Sequence, residues 1–259
     1  MDHLKSLLFV PAEDRRLAKI GYTDADAYII DLEDSIASDC KEEALKRTVS
    51  FLSRCNETNI FVRINKSRHV EELKELSRFS VGIVLPKFER YEDYADVEDV
   101  LMNREVIALV ESPKAIINAN SIAGISWIDA LAFGAEDFTV ATGMLNSLDT
   151  LLVPKTLLVL SAKANGKKVY DTPCFRLDKE DFILAEATQA FDLGFDGKMA
   201  IHPKQIECIN KAFSLRDPEY LSYIVKTFDE AGLSVCEIDG RVYEQLHIKR
   251  IKEQINNLQ

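Results

Sequence analysis

Residues 106–113 read VIALVESP, and residues 128–138 read IDALAFGAEDF. Each is an almost continuous apolar run of strand length whose final residues include an acid, Glu111 in the first stretch and Asp137 in the second. Runs of this kind are typical of parallel strands that are buried on both faces of a sheet. The two stretches therefore predict buried parallel strands that carry acidic side chains at their carboxyl ends.

The same pattern occurs eight times along the chain. The runs are residues 6–12, 27–34, 59–65, 81–88, 106–113, 128–138, 167–174 and 197–203. Segments with helical periodicity separate them, and this alternation indicates βα units with a parallel sheet. Eight such units predict a closed (β/α)8 barrel, or TIM barrel, which typically takes about 250 residues. The rival is an open doubly wound sheet, which is disfavoured because neither GxGxxG nor GxxxxGK follows the first strand.

Helices are predicted between the runs and after the last of them. They cover residues 13–22, 41–53, 69–79, 91–102, 114–124, 150–165, 180–193, 204–213 and 217–231. Gly21 and Gly194 lie where two of them end, as is common for glycine at a helix C-terminus. The chain is thus predicted to form a barrel catalytic domain over residues 1–213 and a short C-terminal helical extension, or lid, over residues 214–259.

The chain has 259 residues and a formal net charge of −11. Binding of nucleic acid needs clustered Lys and Arg, so this charge argues against a nucleic-acid partner. The sequence contains nothing close to the roughly 20 consecutive apolar residues of a membrane helix, and its first apolar run is too short for a signal peptide. The five cysteines are scattered without CxxC spacing, which favours a reducing cytoplasm and gives them no redox or zinc role.

Polar residues interrupt the apolar runs almost always at their carboxyl ends. In a barrel these ends surround the open mouth, where the active site lies. Glu111 and Asp137, from adjacent strands, are predicted to hold a divalent cation such as Mg2+, which takes one or two carboxylates together with water and substrate oxygens. The alternative for these two acids is a structural salt bridge at the barrel rim.

Other residues at the same end suit a substrate. Arg63 is predicted to face a substrate carboxylate or a developing oxyanion. Gly134 permits close backbone approach, so the amides from here to Asp137, including that of Ala135, are predicted to bind a substrate carboxylate. A 2-oxo or 2-hydroxy acid bound to the cation would then have its reacting oxygen between two positive centres, which stabilises the enolate needed to break or make a carbon–carbon bond.

Four further polar residues have two interpretations each. Glu33 and Asp34 either hold waters and orient Arg63, for which they are also candidate structural partners, or take part in the chemistry directly. Lys87 either meets a phosphate or carboxylate of the substrate or pairs with nearby acids. His202 is either a general base or, as we favour, a core residue that satisfies a local hydrogen bond.

Seven motifs occur in a characteristic order between residues 5 and about 213: KSLLFVP, LEDS, VRIN, LPK, LVESP, FGAEDF and GFDGKMAIHPKQI. In this combination the chain resembles the HpcH/HpaI aldolase and citrate lyase family, and within it the citrate lyase β-subunit branch. The resemblance implies a Mg2+-dependent retro-Claisen cleavage of a 3-hydroxyacyl thioester, carried on coenzyme A or an acyl carrier protein, by a homotrimer or hexamer. It also implies that Glu111 and Asp137 are metal ligands and that Arg63 binds the substrate.

Three positions depart from the family's pattern. Lys5 stands where the family has an arginine, which keeps a charge for substrate binding but loses the bidentate fork. The metal-binding glutamate lies in LVES where the family has IET, and Ser112 retains a hydroxyl. Near the C-terminus, Glu244 stands where the family has an aspartate that reaches a neighbouring subunit's site, and the resemblance implies that Glu244 transfers a proton there.

Three functions are compatible with these observations. The first is a Mg2+-dependent carbon–carbon lyase that acts on a citryl, malyl or citramalyl thioester and releases a 2-oxo acid. The second is a metal-dependent aldolase that acts on free hydroxy acids derived from 2-oxo acids, and it is disfavoured because LEDSI lacks the histidine of the family's aldolase branch. The third is a non-catalytic paralogue that binds a metabolite, which the short tail and Lys5 suggest.

Overall fold

A computed structural model describes residues 4–214 and 218–256 of the chain. Its first eight strands are β1 (Ser6–Pro11), β2 (Ala27–Asp31), β3 (Ile60–Arg63), β4 (Gly82–Leu85), β5 (Val106–Val110), β6 (Ala130–Phe133), β7 (Lys168–Asp171) and β8 (Gly197–Ala200). They pair in parallel in sequence order, and β8 pairs with β1, so the sheet closes into a barrel. The predicted (β/α)8 barrel is confirmed.

The interior of the barrel is apolar at its centre and polar at one end. Side chains alternate along a strand, and the inward row contributes Leu7, Ile29, Phe61, Val84, Ile107, Leu109, Ala130, Ala132, Tyr170 and Met199 to one buried cluster. Two residues further along the same rows come Asp31, Arg63, Glu111, Gly134 and Thr172. The period of two therefore places these five residues at the mouth of the barrel.

Helices follow the strands along the chain. They are α1 (Asp14–Leu17), α2 (Lys41–Leu52), α3 (His69–Leu76), α4 (Glu98–Leu101), α5 (Pro113–Ile117), α6 (Ala119–Ala123), α7 (Ala135–Thr142), α8 (Leu152–Ala164), α9 (Glu180–Leu193) and α10 (Lys204–Phe213). The predicted sixth run extended to residue 138, and this is wrong because β6 ends at Phe133 and α7 begins two residues later. Acidic residues in its first turn favour that helix start. None of the helices in these ranges has the length and apolarity that crossing a bilayer requires.

A buried ionic cluster joins the last two barrel strands to their covering helices. The carboxylate of Asp171 lies 3.0 Å from Lys155 Nζ and 2.6 Å from Lys198 Nζ. Lys198 also donates to the carbonyl oxygen of Thr172 at 2.6 Å, and Glu186 lies 3.6 Å from it. Lys198 alternates with the inward-facing Met199, so the cluster lies between the strands and helices α8 and α9 rather than in the barrel interior.

The chain divides into two compact units between Asn210 and Lys211, three residues before the predicted boundary at 213/214. The second unit contains α11 (Pro218–Ala231), β9 (Val235–Ile238), β10 (Arg241–Glu244) and α12 (Gln245–Asn256). The predicted start of its first helix, residue 217, lies outside the described residues. A small core of its own includes Ile224, Phe228, Ile238 and Ile248.

The second unit contains two strands in addition to the helices of the predicted extension. Strands β9 and β10 pair as an antiparallel hairpin. Its turn residues Asp239 and Gly240 have φ angles of 49° and 75°, both left-handed. Two left-handed residues in succession are what a two-residue type I′ turn needs, and Asp-Gly is a favoured pair for it.

Candidate active site

A cavity of about 540 Å³ opens at the carboxyl ends of the barrel strands. One part of its lining contains the polar side chains and comes from β2, β3, β5, β6, β7, the segments that follow them and the start of α7. Its residues are Asp31, Asp34, Ser35, Arg63, Glu111, Gly134, Ala135, Glu136, Asp137 and Thr172. Six of the site residues predicted from the sequence belong to this set. They meet because the carboxyl ends of barrel strands converge on one mouth.

Glu111 follows β5 and is only 6% exposed. Its Oε1 accepts a hydrogen bond of 2.6 Å from the backbone N–H of Lys87. Burial, together with the negative charges of Glu33 and Asp137, raises the pKa of Glu111 to about 8, although that N–H acts in the opposite direction. A divalent cation would stabilise this carboxylate, because an opposite charge compensates for burial and for like charges nearby.

Gly134 is the position where the site needs a glycine. A Cβ at this residue would lie 2.5 Å from both the Cβ and the Oε2 of Glu111, closer than real Cβ atoms come. Close approach at Gly134 was predicted from the sequence, and the group that approaches it here is the side chain of Glu111. The absence of a side chain at Gly134 therefore leaves the space in which Glu111 sits.

The backbone amides of this segment differ in what they can bind. The N–H of Gly134 donates to the carbonyl oxygen of Val110, and the N–H of Ala135 donates to Thr172 Oγ1 at 3.3 Å. The amides of Gly134 and Ala135 were both predicted to bind a substrate carboxylate, and this does not fit the arrangement because each already has an acceptor within the chain. The N–H groups of Glu136 and Asp137 begin α7 and have no acceptor among the described residues, so these two amides are the ones of this segment that are open to an anion.

Asp137 lies in the first turn of α7, and its side chain is 43% exposed. It lines the same cavity as Glu111, and its Oδ2 lies 3.7 Å from Lys87 Nζ. Asp137 lies in a helix that begins after Gly134, whereas Glu111 directly follows a strand. The two acids therefore line the same cavity from a helix and from a strand end.

Arg63 is surrounded by acids. Its Nε and Nη2 donate to the two carboxylate oxygens of Asp31 at 2.7 and 2.8 Å, and its Nη1 lies 3.1 Å from both Glu33 Oε2 and Asp34 Oδ2. Although burial opposes it, the hydrogen bonds and charge of Asp31 raise the pKa of Arg63. Burial raises the pKa of Glu33 despite the charge of Arg63. The structure thus shows Arg63 paired with Glu33 and Asp34, which was the structural alternative, and its predicted contact with substrate stays a prediction.

Asp31 is a site residue that sequence reasoning did not select. It is 2% exposed, and besides both bonds from Arg63 it accepts the backbone N–H groups of Glu33 and Ser35 at 2.9 and 3.0 Å. Although burial raises it, these hydrogen bonds and the charge of Arg63 hold the pKa of Asp31 below its ordinary value. The available signal was its place in the inward row, two residues after Ile29.

Lys87 follows β4 and has a φ of 52°, which is unusual for a residue with a side chain. Its Nζ donates to Glu33 Oε1 at 2.8 Å and lies 3.8 Å from Asp34 Oδ1. Although burial opposes it, the bond to Glu33 raises the pKa of Lys87. Of its two interpretations, the structure shows the pairing with acids, while the strained backbone directs the N–H of Lys87 at Glu111.

Three predicted or considered residues lie elsewhere. Lys5 precedes β1 at the amino-terminal end of the barrel, opposite the mouth, and this placement does not support substrate contact in the cavity. Glu244 ends β10 in the second unit, with its Oε1 3.9 Å from His247 Nε2, and its proton-transfer role stays a prediction. His202 accepts the N–H of Lys204 on its Nδ1 at 3.2 Å, which is a local structural contact.

The donors at the mouth fit a hard divalent cation. Within residues 4–214 and 218–256, no three His, Cys, Asp or Glu side chains form a complete metal-binding group. Mg2+ does not require one, because it commonly binds through one or two carboxylates and keeps several waters. Glu111 and Asp137 face one cavity, and the charge of Asp137 contributes to the raised pKa of Glu111, so these two carboxylates fit that mode of binding.

Comparison with known proteins places this chain in a family. Residues 5–203 match the family described as HpcH/HpaI aldolase/citrate lyase. A (3S)-malyl-CoA thioesterase of Cereibacter sphaeroides is 31% identical over 94% of this chain and 90% of its own length. The citrate lyase subunit beta of Haemophilus influenzae is 28% identical over 96% and 94% of the two chains.

Solved structures agree with the sequence comparison. The citrate lyase beta subunit of Mycobacterium tuberculosis, complexed with oxaloacetate and magnesium, is 27% identical to this chain. It superposes with a TM-score of 0.72 over 82% of this chain and 97% of its own. With the barrel, the acidic mouth and these matches together, the chain belongs to the HpcH/HpaI aldolase/citrate lyase family.

Proposed function

We propose that this protein is a Mg2+-dependent carbon–carbon lyase that cleaves a 3-hydroxyacyl thioester, carried on coenzyme A or an acyl carrier protein, into a 2-oxo acid and an acetyl thioester. The observation that carries the proposal is that Glu111 and Asp137 face one cavity with the guanidinium of Arg63. The relatives named for citrate lyase and malyl-CoA support it, as does the related structure that contains oxaloacetate and magnesium.

The residues of the chain divide the work of this reaction. Glu111 and Asp137 would hold the Mg2+, which when bound supplies Lewis-acid polarisation of the substrate's hydroxyl and carboxylate oxygens. The N–H groups of Glu136 and Asp137 suit the substrate carboxylate, because they are open amides at a helix N-terminus. Arg63 keeps its proton and supplies a fixed positive charge, since three carboxylates hold it in place.

Cleavage of the carbon–carbon bond needs no reactant besides the thioester, since the proton that leaves the hydroxyl is replaced by one taken up at carbon. The 3-hydroxyl proton passes to a carboxylate, for which Glu33, Asp34 and Glu244 are the predicted candidates. The bond between carbons 2 and 3 of the acyl chain breaks, and its electron pair forms the enolate of the acetyl thioester. That enolate then takes a proton at carbon, and the 2-oxo acid and acetyl thioester leave.

A second candidate is hydrolysis of the thioester, which the 31% identical malyl-CoA thioesterase favours. The two reactions differ in their products. Hydrolysis releases free coenzyme A and a hydroxy acid, whereas the lyase releases acetyl-CoA and a 2-oxo acid. Turnover of free hydroxy acids alone would indicate the aldolase alternative, and the absence of both turnover and metal binding would indicate the non-catalytic one.

The test uses the purified protein with Mg2+ and malyl-CoA, citramalyl-CoA or citryl-CoA, with acetyl-CoA, free thiol and 2-oxo acid measured separately. We expect acetyl-CoA and a 2-oxo acid in equal amounts from at least one thioester. Glu111→Gln and Asp137→Asn should each lower the rate at least about a hundredfold, because each removes a charge that holds the cation.

Glu136→Gln is the matched control. Glu136 lines the same cavity in the same helical turn as Asp137, but its Oε1 accepts a hydrogen bond of 2.7 Å from Asn146, which glutamine retains in part. This variant should keep most of the activity. Free thiol without acetyl-CoA, or full activity in the Glu111→Gln protein, would overturn the lyase proposal.

A further inference from the structure

The cavity at the barrel mouth has two unlike halves. One half, from β2 round to the start of α7, contains all of its acidic residues and Arg63. The other half comes from three consecutive strands around the ring, β7, β8 and β1, and the segments after them. Apart from Thr172, this half consists of Phe9, Pro11, Pro173, Phe175, Met199 and Ile201.

Among the described residues that line the cavity, the part of the apolar half at Met199 and Ile201 contains no Lys, Arg or His. Arg63 is the sole Lys, Arg or His among the described residues that line the cavity, and its guanidinium carbon lies 5.0 Å from the centre of the Phe9 ring, at the edge of the apolar half. Three carboxylates already hold it. Lys198 and Lys155 lie behind β7 and β8, where Asp171 binds both of them. A carboxylate against the buried side chain of Met199 would therefore lose its hydration without gaining an opposite charge.

This asymmetry bears on one substituent of the substrate. In the proposed reaction, carbon 3 of the acyl chain carries the hydroxyl, the carboxylate and one further group. That group is hydrogen in a malyl chain, methyl in a citramalyl chain and carboxymethyl in a citryl chain. If the hydroxyl and carboxylate face the cation that Glu111 and Asp137 would hold and the N–H groups of Glu136 and Asp137, and the long thioester arm extends to solvent, the further group meets the opposite wall.

We infer that the apolar half of the cavity restricts this enzyme to 3-hydroxyacyl thioesters with a single free carboxylate. The further substituent on carbon 3 is then hydrogen or a small alkyl group, and a second free carboxylate is excluded. The inference rests on the proposed lyase function and specifies its substrate class. The residues that determine it are Met199, which is buried at 2% exposure, and Ile201, which is 40% exposed at the rim.

The first measurement compares kcat/KM for malyl-CoA, citramalyl-CoA and citryl-CoA with the same Mg2+ concentration. We expect citryl-CoA to be worse than the better of the other two by at least about a hundredfold, since a buried unpaired charge penalises its transition state. Equal or higher kcat/KM for citryl-CoA would overturn the inference and leave the lyase function intact.

The second measurement changes the wall. Ile201→Lys places a cation at the exposed rim of the apolar half, so it should raise the ratio of citryl-CoA to malyl-CoA kcat/KM by about tenfold or more. Ile201→Gln is the matched control, since it has a similar length and no charge, and it should leave the ratio near that of the wild type. An unchanged ratio in the Ile201→Lys protein would contradict the assignment of this wall.

A measurement of binding separates the substrate selectivity from the lyase function if no thioester is cleaved. Glyoxylate and pyruvate, with Mg2+, should raise the melting temperature of the wild-type protein, and oxaloacetate should do so much less. That result without any cleavage would sustain the selectivity and overturn the lyase function. Stabilisation by oxaloacetate equal to that by pyruvate would overturn the selectivity.

Discussion

Gly134 lies so close to Glu111 that a single methyl group should disturb the metal site. In Gly134→Ala the new Cβ would start 2.5 Å from Glu111 Oε2, so the carboxylate must move. We expect the affinity for Mg2+, measured by titration calorimetry, to fall at least tenfold, and the free energy of unfolding to fall by about 1–3 kcal/mol, which is usual for an overpacked site.

Gly124→Ala is the control for this substitution. Its Cβ would meet its nearest neighbour, the carbonyl oxygen of Ser121, at an ordinary 3.5 Å, and its φ is −73°. Affinity for Mg2+ should not change. If Gly134→Ala bound Mg2+ as tightly as the wild type, Glu111 would not be the residue that the glycine accommodates for metal binding.

Asp31 and Asp34 both contact Arg63, but they should differ greatly in what they contribute. Asp31→Asn removes the buried bidentate partner of Arg63, so the free energy of unfolding, measured with urea, should fall by about 3–5 kcal/mol. Asp34→Asn removes a half-exposed carboxylate that lies 3.1 Å from Arg63, and it should lower the free energy of unfolding by less than about 1 kcal/mol. Equal losses would show that Asp31 does not anchor Arg63.

At this scale the sequence identified the functional groups but not what holds them. Glu111, Asp137 and Arg63 were selected because polar residues ended apolar runs, and the structure brings them to one cavity. Asp31 was not selected because its partner Arg63 is 32 residues away on the next strand. One sequence does not show which side chains meet across strands. Lys5 was selected by likeness to a family position, although its place before β1 put it at the far end.

At the scale of elements, the cluster around Asp171 joins two strands to two helices and should respond to pH. Burial raises the pKa of Asp171, but the charges of Lys155 and Lys198 lower it below its ordinary value overall. The carboxylate therefore stabilises the fold above its unfolded pKa of about 3.9, and this contribution is lost as the pH falls towards the folded value. At pH 7, Asp171→Asn should lower the free energy of unfolding by about 3–5 kcal/mol.

The difference between wild type and Asp171→Asn should narrow below about pH 4, because the unfolded wild-type chain then binds a proton at Asp171 that the folded state, with its lowered pKa, still resists. Urea denaturation at several pH values measures it. Asp99→Asn, on the exposed side of α4, is the control and should differ little from the wild type at every pH. A difference that stays constant down to pH 3 would mean that the charge of Asp171 is not what stabilises the cluster.

The long elements were predictable because each carries a repeated pattern, while the short turns between them were not. All eight barrel strands lie within the predicted runs, because the strands of a closed parallel barrel are buried on both faces and are therefore continuously apolar. Helix α7 was missed because Ala135 to Asp137 continue a strand-like run in the sequence. The hairpin was missed although Asp239-Gly240 is a known turn pair, because its flanking residues alternate too weakly to indicate strands.

At the scale of the whole molecule, the proposed cation should stabilise the fold. A ligand that binds the folded state at one hundred times its dissociation constant adds about 2.7 kcal/mol, which for a protein of this size corresponds to a rise of roughly 5–10 °C in melting temperature. We expect this rise on addition of Mg2+ and its reversal by a chelator. Glu111→Gln should show neither, and a rise of equal size in that variant would place the cation elsewhere.

The assembly implied by the family resemblance, a homotrimer or hexamer, stays a prediction. Light scattering coupled to gel filtration measures the mass directly, with 29.3 kDa as the mass of one chain. We expect a peak at three or six times that mass. A peak at the mass of one chain would contradict the prediction and would remove the neighbouring subunit through which Glu244 is implied to act.

Closure of the barrel between β1 and β8 has a consequence for how the chain is made. Ser6 to Leu8 pair with Lys198 to Ala200, so the first strand needs a neighbour that the ribosome supplies about 190 residues later, roughly 10–40 s at ordinary rates of synthesis. During that interval one edge of β1 exposes unpaired backbone groups, which are able to recruit other nascent chains. Yield in cells should therefore depend on chaperones that cover this open seam until translation has passed β8.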